Sequence, residues 1–294
     1  MLQHRNVIPR LPARTVVLGS SGFIGGAIFS KLTASTAAVI GLGRKEIDLL
    51  DGRAAQELAT QLRADDALVV VSARVPCKNP AMMLENIGMM AAVCEALGRQ
   101  LVAHLVYISS DAVYADGPLP LTETSPAAPT SLHGAMHLAR EQMLLTNAGA
   151  APLAILRPTL VYGAGDPHNG YGPNRFRRQA NCGEAVVLFG EGEERRDHVD
   201  VEDVAEIVRL VLEYRSAGVL NVATGTVASF RALADKAVAL SPRKVEIKAS
   251  PRNGPMPHNG YRPFDPVATL KAFPGFRYTA IDVGLARAQQ REFG

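Results

Sequence analysis

The chain has 294 residues, 47% of them hydrophobic and 20% charged, with a formal net charge of +3. Those values describe a core-forming globular chain rather than a disordered one, long enough for one dinucleotide-binding domain and a smaller lobe. The weak positive balance lacks the dense basic stripe of a nucleic-acid binder, so neither a nucleic-acid partner nor a membrane partner is expected. Three cysteines, Cys77, Cys94 and Cys182, form no metal or disulfide framework and read as free thiols in a reducing compartment. Met1 to Ala13 holds no continuous apolar stretch of the signal-peptide kind, and no later segment reads as apolar for the length of a membrane span. The expected location is therefore cytoplasmic.

In chain order, Thr15 to Gly19 reads as a buried strand and Gly22 to Leu32 has helical spacing. Ala37 to Leu42 is a second strand, and Asp51 is placed to cap a helix from Arg53 to Leu62. Ala67 to Ser72 is a third strand, Ala81 to Leu97 a long helix, and Leu101 to Ser109 a fourth strand. Ser131 to Asn147 is helical, and Leu153 to Leu156 is a fifth strand that stops at Pro158. Continuous apolar strands between helices predict an α/β fold, a Rossmann-type doubly wound parallel sheet covered on both faces.

From Gly163 the texture changes. Gly163 to Asn174 carries four glycines and two prolines and reads as a ligand-facing loop. A strand near Ala185 to Phe189, helices near Val204 to Tyr214 and Phe230 to Leu240, and a Pro-rich stretch from Ser250 to Pro266 follow, while Val219 to Ala223 is a candidate to rejoin the main sheet. The expected organisation is a dinucleotide-binding domain over 14–163 and a smaller, discontinuous C-terminal substrate lobe over 164–294, with some segments returning to the sheet.

The sharpest local signal is Gly19-Ser-Ser-Gly22-Phe-Ile-Gly25, directly after the first strand and opening the first helix. Such glycines permit a tight turn and bring backbone N–H groups to a pyrophosphate at the positive end of a helix. Gly19, Ser21, Gly22, Phe23, Ile24 and Gly25 are thus candidate cofactor contacts. The second strand ends Gly41-Leu-Gly43-Arg44-Lys45, where an NAD enzyme commonly carries an acid for the ribose hydroxyls. Gly43 stands there instead, and Arg44 offers a charged planar fork for a 2′-phosphate, which favours NADP over NAD.

Val106 to Tyr114, containing Ser109-Ser110-Asp111, joins this loop, Leu156 to Gly163 and Arg196 to Asp203 in a set of motifs. Together, in this order, they resemble the extended short-chain dehydrogenase family, whose members include nucleotide-sugar epimerases, dehydratases and 4-keto-sugar reductases. The resemblance runs roughly from Thr15 to Leu285. It implies that Ser110 bonds the reacting sugar oxygen and that Asp111 occupies a position holding an acid in dehydratases. The Glu that follows there is Ala112 here, which argues against 4,6-dehydration. It further implies cofactor contacts from Asp48 and Leu49 at the adenine, and from Ser72, Ala73, Asn86, Ser109 and Pro158.

The family's central pair is a Tyr and a Lys four residues apart on the helix after the Ser. The segment here is Ser131-Leu-His133-Gly-Ala-Met-His137-Leu-Ala-Arg140-Glu141, so His133 stands where Tyr should and His137 where Lys should. Three readings stay open. In the first, His133 moves the proton, since an imidazole titrates near neutrality, and His137 bonds the nicotinamide ribose. In the second, the site binds cofactor and ligand without turnover, as a sensor or partner subunit. In the third, the two imidazoles hold a metal, although no third ligand stands nearby in sequence; no metal site is assigned.

On the substrate side, Asn174, Arg196 and Arg262 lie at positions that the resemblance associates with a nucleotide-sugar diphosphate. Arg suits that task because its fork bonds two phosphate oxygens at once. His4, His104, His168, His198 and His258 are assigned no catalytic part. The Met82, Met83, Met89, Met90 stripe reads as packing or a dimer face. The expected whole is an NADP(H)-dependent epimerase or keto-reductase acting on a nucleotide-linked sugar or related keto-sugar, as a homodimer paired through its two long helices.

Overall fold

The computed structural model describes residues 2–35 and 38–294. The expected first residue of the second strand, Ala37, lies outside them.

In chain order the first half runs β1 (Arg14–Leu18), α1 (Phe23–Thr33), β2 (Ala38–Leu42), α2 (Ala54–Gln61), β3 (Ala67–Val70), α3 (Pro80–Arg99), β4 (His104–Ile108), α4 (Leu132–Asn147) and β5 (Leu153–Pro158). The second half runs β6 (Leu160–Tyr162), α5 (Pro173–Cys182), β7 (Val186–Phe189), β8 (Arg195–Asp200), α6 (Val201–Glu213), β9 (Gly218–Val222), β10 (Val227–Ser229) and α7 (Phe230–Ala239). It ends with β11 (Ile247–Ser250), β12 (Tyr261–Arg262), α8 (Val267–Ala272) and α9 (Ile281–Phe293).

Among the described residues the main sheet has six strands in the order β2-β1-β3-β4-β5-β9, every pair parallel. This is the Rossmann-type doubly wound α/β fold. Its strands are mainly apolar because both faces are covered, and β3, β4 and β5 are buried along their whole length. One face packs Leu58, Val93, Leu97 and Leu144 from α2, α3 and α4. The other packs Ile28, Leu32, Val204, Val208 and Val211 from α1 and α6. The chain order reverses between β1 and β3, and that switch point opens a crevice at the carboxyl ends of the strands.

After β5 the chain builds a second cluster in which Phe176, Val186, Leu188, Phe230 and Leu233 pack together. There β8 pairs with β6, β10 and β12, and β7 pairs with β11. β9 returns to the main sheet beside β5.

Several expected boundaries shift for local reasons. The third strand ends at Val70, not Ser72, because the amides of Val71 and Ser72 both turn to the carbonyl of Leu18. The fourth begins at His104 rather than Leu101, since Ala103 and His104 donate instead to the carbonyl of Asp66. Asp51 accepts from the Arg53 amide at 2.9 Å, one residue before the helix, so it stabilises the turn leading in and does not cap the helix. α6 starts at Val201, three residues earlier than expected, because the Asp200 side chain accepts from the Glu202 amide. α3 corrects a further expectation. Its 20 residues are long and apolar enough to cross a membrane by length and composition. Small residues and methionines raise that apolarity without an unbroken Leu/Ile run. In the fold the helix is capped by Asn79 and packs against α2 and α4.

Candidate active site

The crevice at the switch point is a cleft of about 700 Å³, within the range of small-molecule and cofactor sites. Its floor is the turn from β1 into α1. Gly19 adopts φ +98°, and a side chain there would place Cβ 2.6 Å from the Ser72 amide nitrogen. A Cβ on Gly25 would sit 2.0 Å from the Gly19 carbonyl oxygen, so helix and strand approach as closely as they do only because that residue is Gly. No acidic side chain stands in the first turn of α1 and no side chain caps it, which leaves its amides and positive dipole end for an anion. Gly19, Ser21, Gly22, Phe23, Ile24 and Gly25 all line the cleft.

At the rim, Arg44, Asp48 and Leu49 also line it. Arg44 Nε donates to Asp48 at 3.1 Å in an exposed pair. The Gly43 amide donates to the Glu46 carboxylate at 2.8 Å, so an acid does stand near this corner, three residues later than the usual place. Ser72, Ala73, Ser109 and Pro158 line the middle of the cleft, and the buried Ser72 Oγ has no protein partner among the described residues. Asn86 does not reach the cleft, a correction to its expected contact. Its amide is consumed by Arg74 N, Arg74 O and Met82 O, which ties α3 to the loop after β3.

The end of β4 and the start of α4 bring Ser110, Asp111, His133 and His137 to the same cleft. Ser131 caps α4 and accepts from the Gly134 amide, which fixes where the first turn presents His133. Gly134 is required beside it: a Cβ there would lie 1.9 Å from the Ala112 carbonyl oxygen. Behind this wall Glu141 takes the Ser109 hydroxyl at 2.5 Å and two Arg157 nitrogens at 2.9 and 2.6 Å. Burial opposes the Arg157 charge, but hydrogen bonding to Glu141 and the neighbouring Tyr114 raise its pKa. This buried pair locks α4 to β4 and β5.

His133 Nδ1 accepts from the Cys77 amide, and its ring meets that of His137 edge-on at 4.8 Å. Burial lowers the His133 pKa, and the Asp111 carboxylate partly opposes this. His137 is more deeply set, and burial, then His133 and Arg140, push its pKa well below the ordinary value. Burial thus disfavours the charged form of both imidazoles. Among the described residues no group of three His, Cys, Asp or Glu side chains is placed to hold a metal.

Asp111 is not a free acid. Its Oδ2 accepts from Arg262 Nε at 3.0 Å and faces Arg196 at 3.9 Å, and its Oδ1 lies 3.5 Å from the Ser110 hydroxyl. Arg196 and Asn174 line the cleft, whereas Arg262, only 2% exposed, does not. The expected diphosphate contact from Arg262 is therefore corrected: its guanidinium is spent on Asp111, Asp116 and the carbonyls of Asp111 and Tyr114. Asn174 is half committed as well, accepting from the Gly163 amide at 3.1 Å and donating to Asp166 at 2.9 Å.

Sequence reasoning missed His168, His198 and His258 and the Arg74-Val75-Pro76 segment, all of which line the cleft. His168 sits in a loop, His198 in a strand and His258 in a short 3-10 turn, none with apolar periodicity, so no sequence pattern pointed at the cleft. It also missed the buried Arg140 and Tyr107 behind His137.

A nicotinamide dinucleotide fits these residues: the cradle excludes any Cβ at Gly19 and Gly25, free helix amides face it, and the orphaned Ser72 hydroxyl awaits a partner. The dTDP-6-deoxy-L-talose 4-dehydrogenase (NAD(P)(+)) of Kitasatospora kifunensis is 29% identical over 263 residues, 82% of this chain and 83% of that protein. The UDP-glucose 4-epimerase of Mycolicibacterium smegmatis is 28% identical over 254 residues, 75% of this chain and 80% of that one. A solved UDP-glucose 4-epimerase of Thermus thermophilus in complex with NAD superposes with a TM-score of 0.82 at 25% identity, over 94% of this chain and 98% of that chain. Residues 15–223 match the NAD dependent epimerase/dehydratase family, and the chain belongs to that family.

Proposed function

We propose that the protein is an NADP(H)-dependent epimerase or keto-reductase acting on a nucleotide-linked sugar. The observation that carries this reading is the convergence of the glycine cradle, Ser110 and His133 on one cleft. When bound, the nicotinamide supplies the hydride acceptor or donor. Ser110 bonds the reacting sugar oxygen, and His133 takes or returns the proton on that oxygen. His137 bonds the nicotinamide ribose through Nε2, which has no partner among the described residues. Asp111 braces Ser110 rather than acting as an acid. Arg196 and Asn174, which both line the cleft, face the diphosphate, and Arg262 anchors the Asp111 wall from behind.

For proton transfer through Nε2, His133 must carry hydrogen on Nδ1, so its 3.4 Å contact with the Cys77 amide gives way when substrate binds. That contact is long and weak. NADP is favoured because Arg44 keeps an accessible fork at the rim, and its exposed pair with Asp48 is easily displaced.

The test is calorimetric titration with NADP⁺ and NAD⁺, followed by product NMR with a panel of nucleotide sugars and 4-keto-sugars. Tight NADP⁺ binding with turnover supports the proposal; no dinucleotide binding would refute it. We place the enzyme in the cytoplasm and propose a homodimer through α3 and α4, where Leu84 and Leu145 are exposed. A monomeric mass in light scattering would remove the dimer.

A further inference from the structure

Arg140 is a buried cation without an acid. It is fully buried, yet it makes no ion pair among the described residues: Nη2 donates to the Ser72 carbonyl at 2.6 Å, Nη1 reaches Asn86 at 3.5 Å, and Nε has no partner. Its neighbour in sequence, Glu141, is fully engaged by Arg157 and Ser109. Burying an uncompensated charge is costly, so a guanidinium held this way is either a defect or a device.

Its surroundings indicate a device. The guanidinium lies over the Tyr107 ring, 5.4 Å from the centroid. The Tyr107 hydroxyl in turn lies 2.9 Å from His137 Nδ1. A cation over the ring face draws electron density from the phenol, which favours its hydroxyl as donor. A phenol that donates to Nδ1 leaves the single proton of a neutral imidazole on Nε2. The groups facing His137 are His133 and Arg140 on its own helix and Tyr107 from β4. None of them is an acid that would favour imidazolium.

We propose that Arg140 is a positioning residue that acts through Tyr107 to hold His137 as the neutral, Nε2-protonated tautomer, a fixed donor aimed at the cleft. The charge that the family's Lys would carry into the cofactor site is thereby moved one helical turn back, behind the wall. The role of the donor rests on the proposed cofactor reading; the tautomer itself does not.

The experiment is long-range ¹H–¹⁵N correlation of histidine-labelled protein between pH 5 and 8, with no ligand. It compares wild type, Arg140→Met, Arg140→Lys and Tyr107→Phe. Wild type should show His137 as the Nε2–H tautomer throughout. Arg140→Met should raise its titration by on the order of one pH unit, and Arg140→Lys should restore the wild-type titration. Tyr107→Phe should mix the tautomers. Wild-type signals in a folded Arg140→Met or Tyr107→Phe protein would overturn the proposal. If Arg140→Met fails to fold, Tyr107→Phe and Arg140→Lys still decide it: an unmixed tautomer in the former, or loss of the neutral form in the latter, refutes it. NADP⁺ titration of the same variants should show several-fold weaker binding for Arg140→Met. Failure of wild type to bind any dinucleotide would sink the functional reading while leaving the tautomer result standing.

Discussion

The backbone N–H of Cys77 points at Nδ1 of His133 from 3.4 Å, so the apo site presents this imidazole as an acceptor on that side. Burial also lowers its pKa. Oxidation of a hydroxyl needs the neutral ring, so kcat/KM in that direction should stay flat through neutrality and fall only below the ordinary imidazole range near pH 6.5. Reduction needs the protonated ring and should accelerate as pH falls. Paired pH–rate profiles check this, and an acid limb beginning above pH 7 in the oxidative direction would contradict it.

The glycine cradle predicts a sharp contrast between two alanine substitutions. Gly25→Ala drives a Cβ to within 2.0 Å of the Gly19 carbonyl oxygen, and backbone must move to accept it. Dinucleotide affinity should fall by at least about tenfold, roughly 1.4 kcal/mol. Gly98→Ala, in α3 with nothing within 4 Å, should instead stabilise the fold by about 0.5–1 kcal/mol. Calorimetry and thermal melting read both, and an unaltered affinity in Gly25→Ala would remove the phosphate role of the turn.

Arg44 sets the cofactor preference in the proposed reading, opposed by the nearby Glu46 carboxylate. Arg44→Ala should weaken NADP⁺ by about tenfold, the loss of one charge-assisted phosphate contact, and leave NAD⁺ nearly unchanged. Glu46→Gln should shift preference the other way, toward NADP⁺. Equal losses for both cofactors in Arg44→Ala would show that the guanidinium does not see the 2′ position.

His104 is a pH probe of stability remote from the site. It is buried, its Nε2 faces the Ser216 carbonyl at 2.8 Å, and burial lowers its pKa to about 4. Because the folded pKa is depressed, the unfolded chain binds the extra proton between pH 6.5 and 4, and stability falls as pH falls through that window. The loss from this group is about 2 kcal/mol by pH 5. Urea denaturation at pH 7 and pH 5 should show a smaller drop for His104→Gln than for wild type; equal drops would place the acid sensitivity elsewhere.

The parallel sheet was legible because Thr15 to Gly19, Ala67 to Ser72 and Leu153 to Leu156 are short, mainly apolar runs between helical patterns, and burial on both faces demands that composition. The glycine turn after β1 was legible because Gly19 and Gly25 are required by backbone approach, which only one residue type satisfies. The second lobe was less so. β8 reads Arg-Arg-Asp-His-Val-Asp, and its buried Asp197 is satisfied by partners distant in sequence, Thr159 and Thr224. α9 buries only Gly284, Leu285 and Ala288, a seam too narrow to show as periodicity. Gly19, Ser110 and His133, which line the cleft, stand within local motifs that the sequence displays. Asn86 and Arg262 were misplaced because hydrogen-bond partners, which the sequence does not display, decide whether a polar side chain faces a ligand or braces the wall.

The central claim is that His133 does the proton transfer in a working hydride-transfer site. Its most direct test is single-turnover reduction of a nucleotide 4-keto-sugar by NADPH with wild type, His133→Phe and the double variant His133→Tyr/His137→Lys, following nicotinamide absorbance. The account predicts turnover by wild type, a loss of at least about a hundredfold in His133→Phe, and unchanged NADP⁺ affinity in that variant. Turnover by the double variant alone, with wild type silent while still binding the cofactor, would contradict it and mark the protein as a binding site without chemistry.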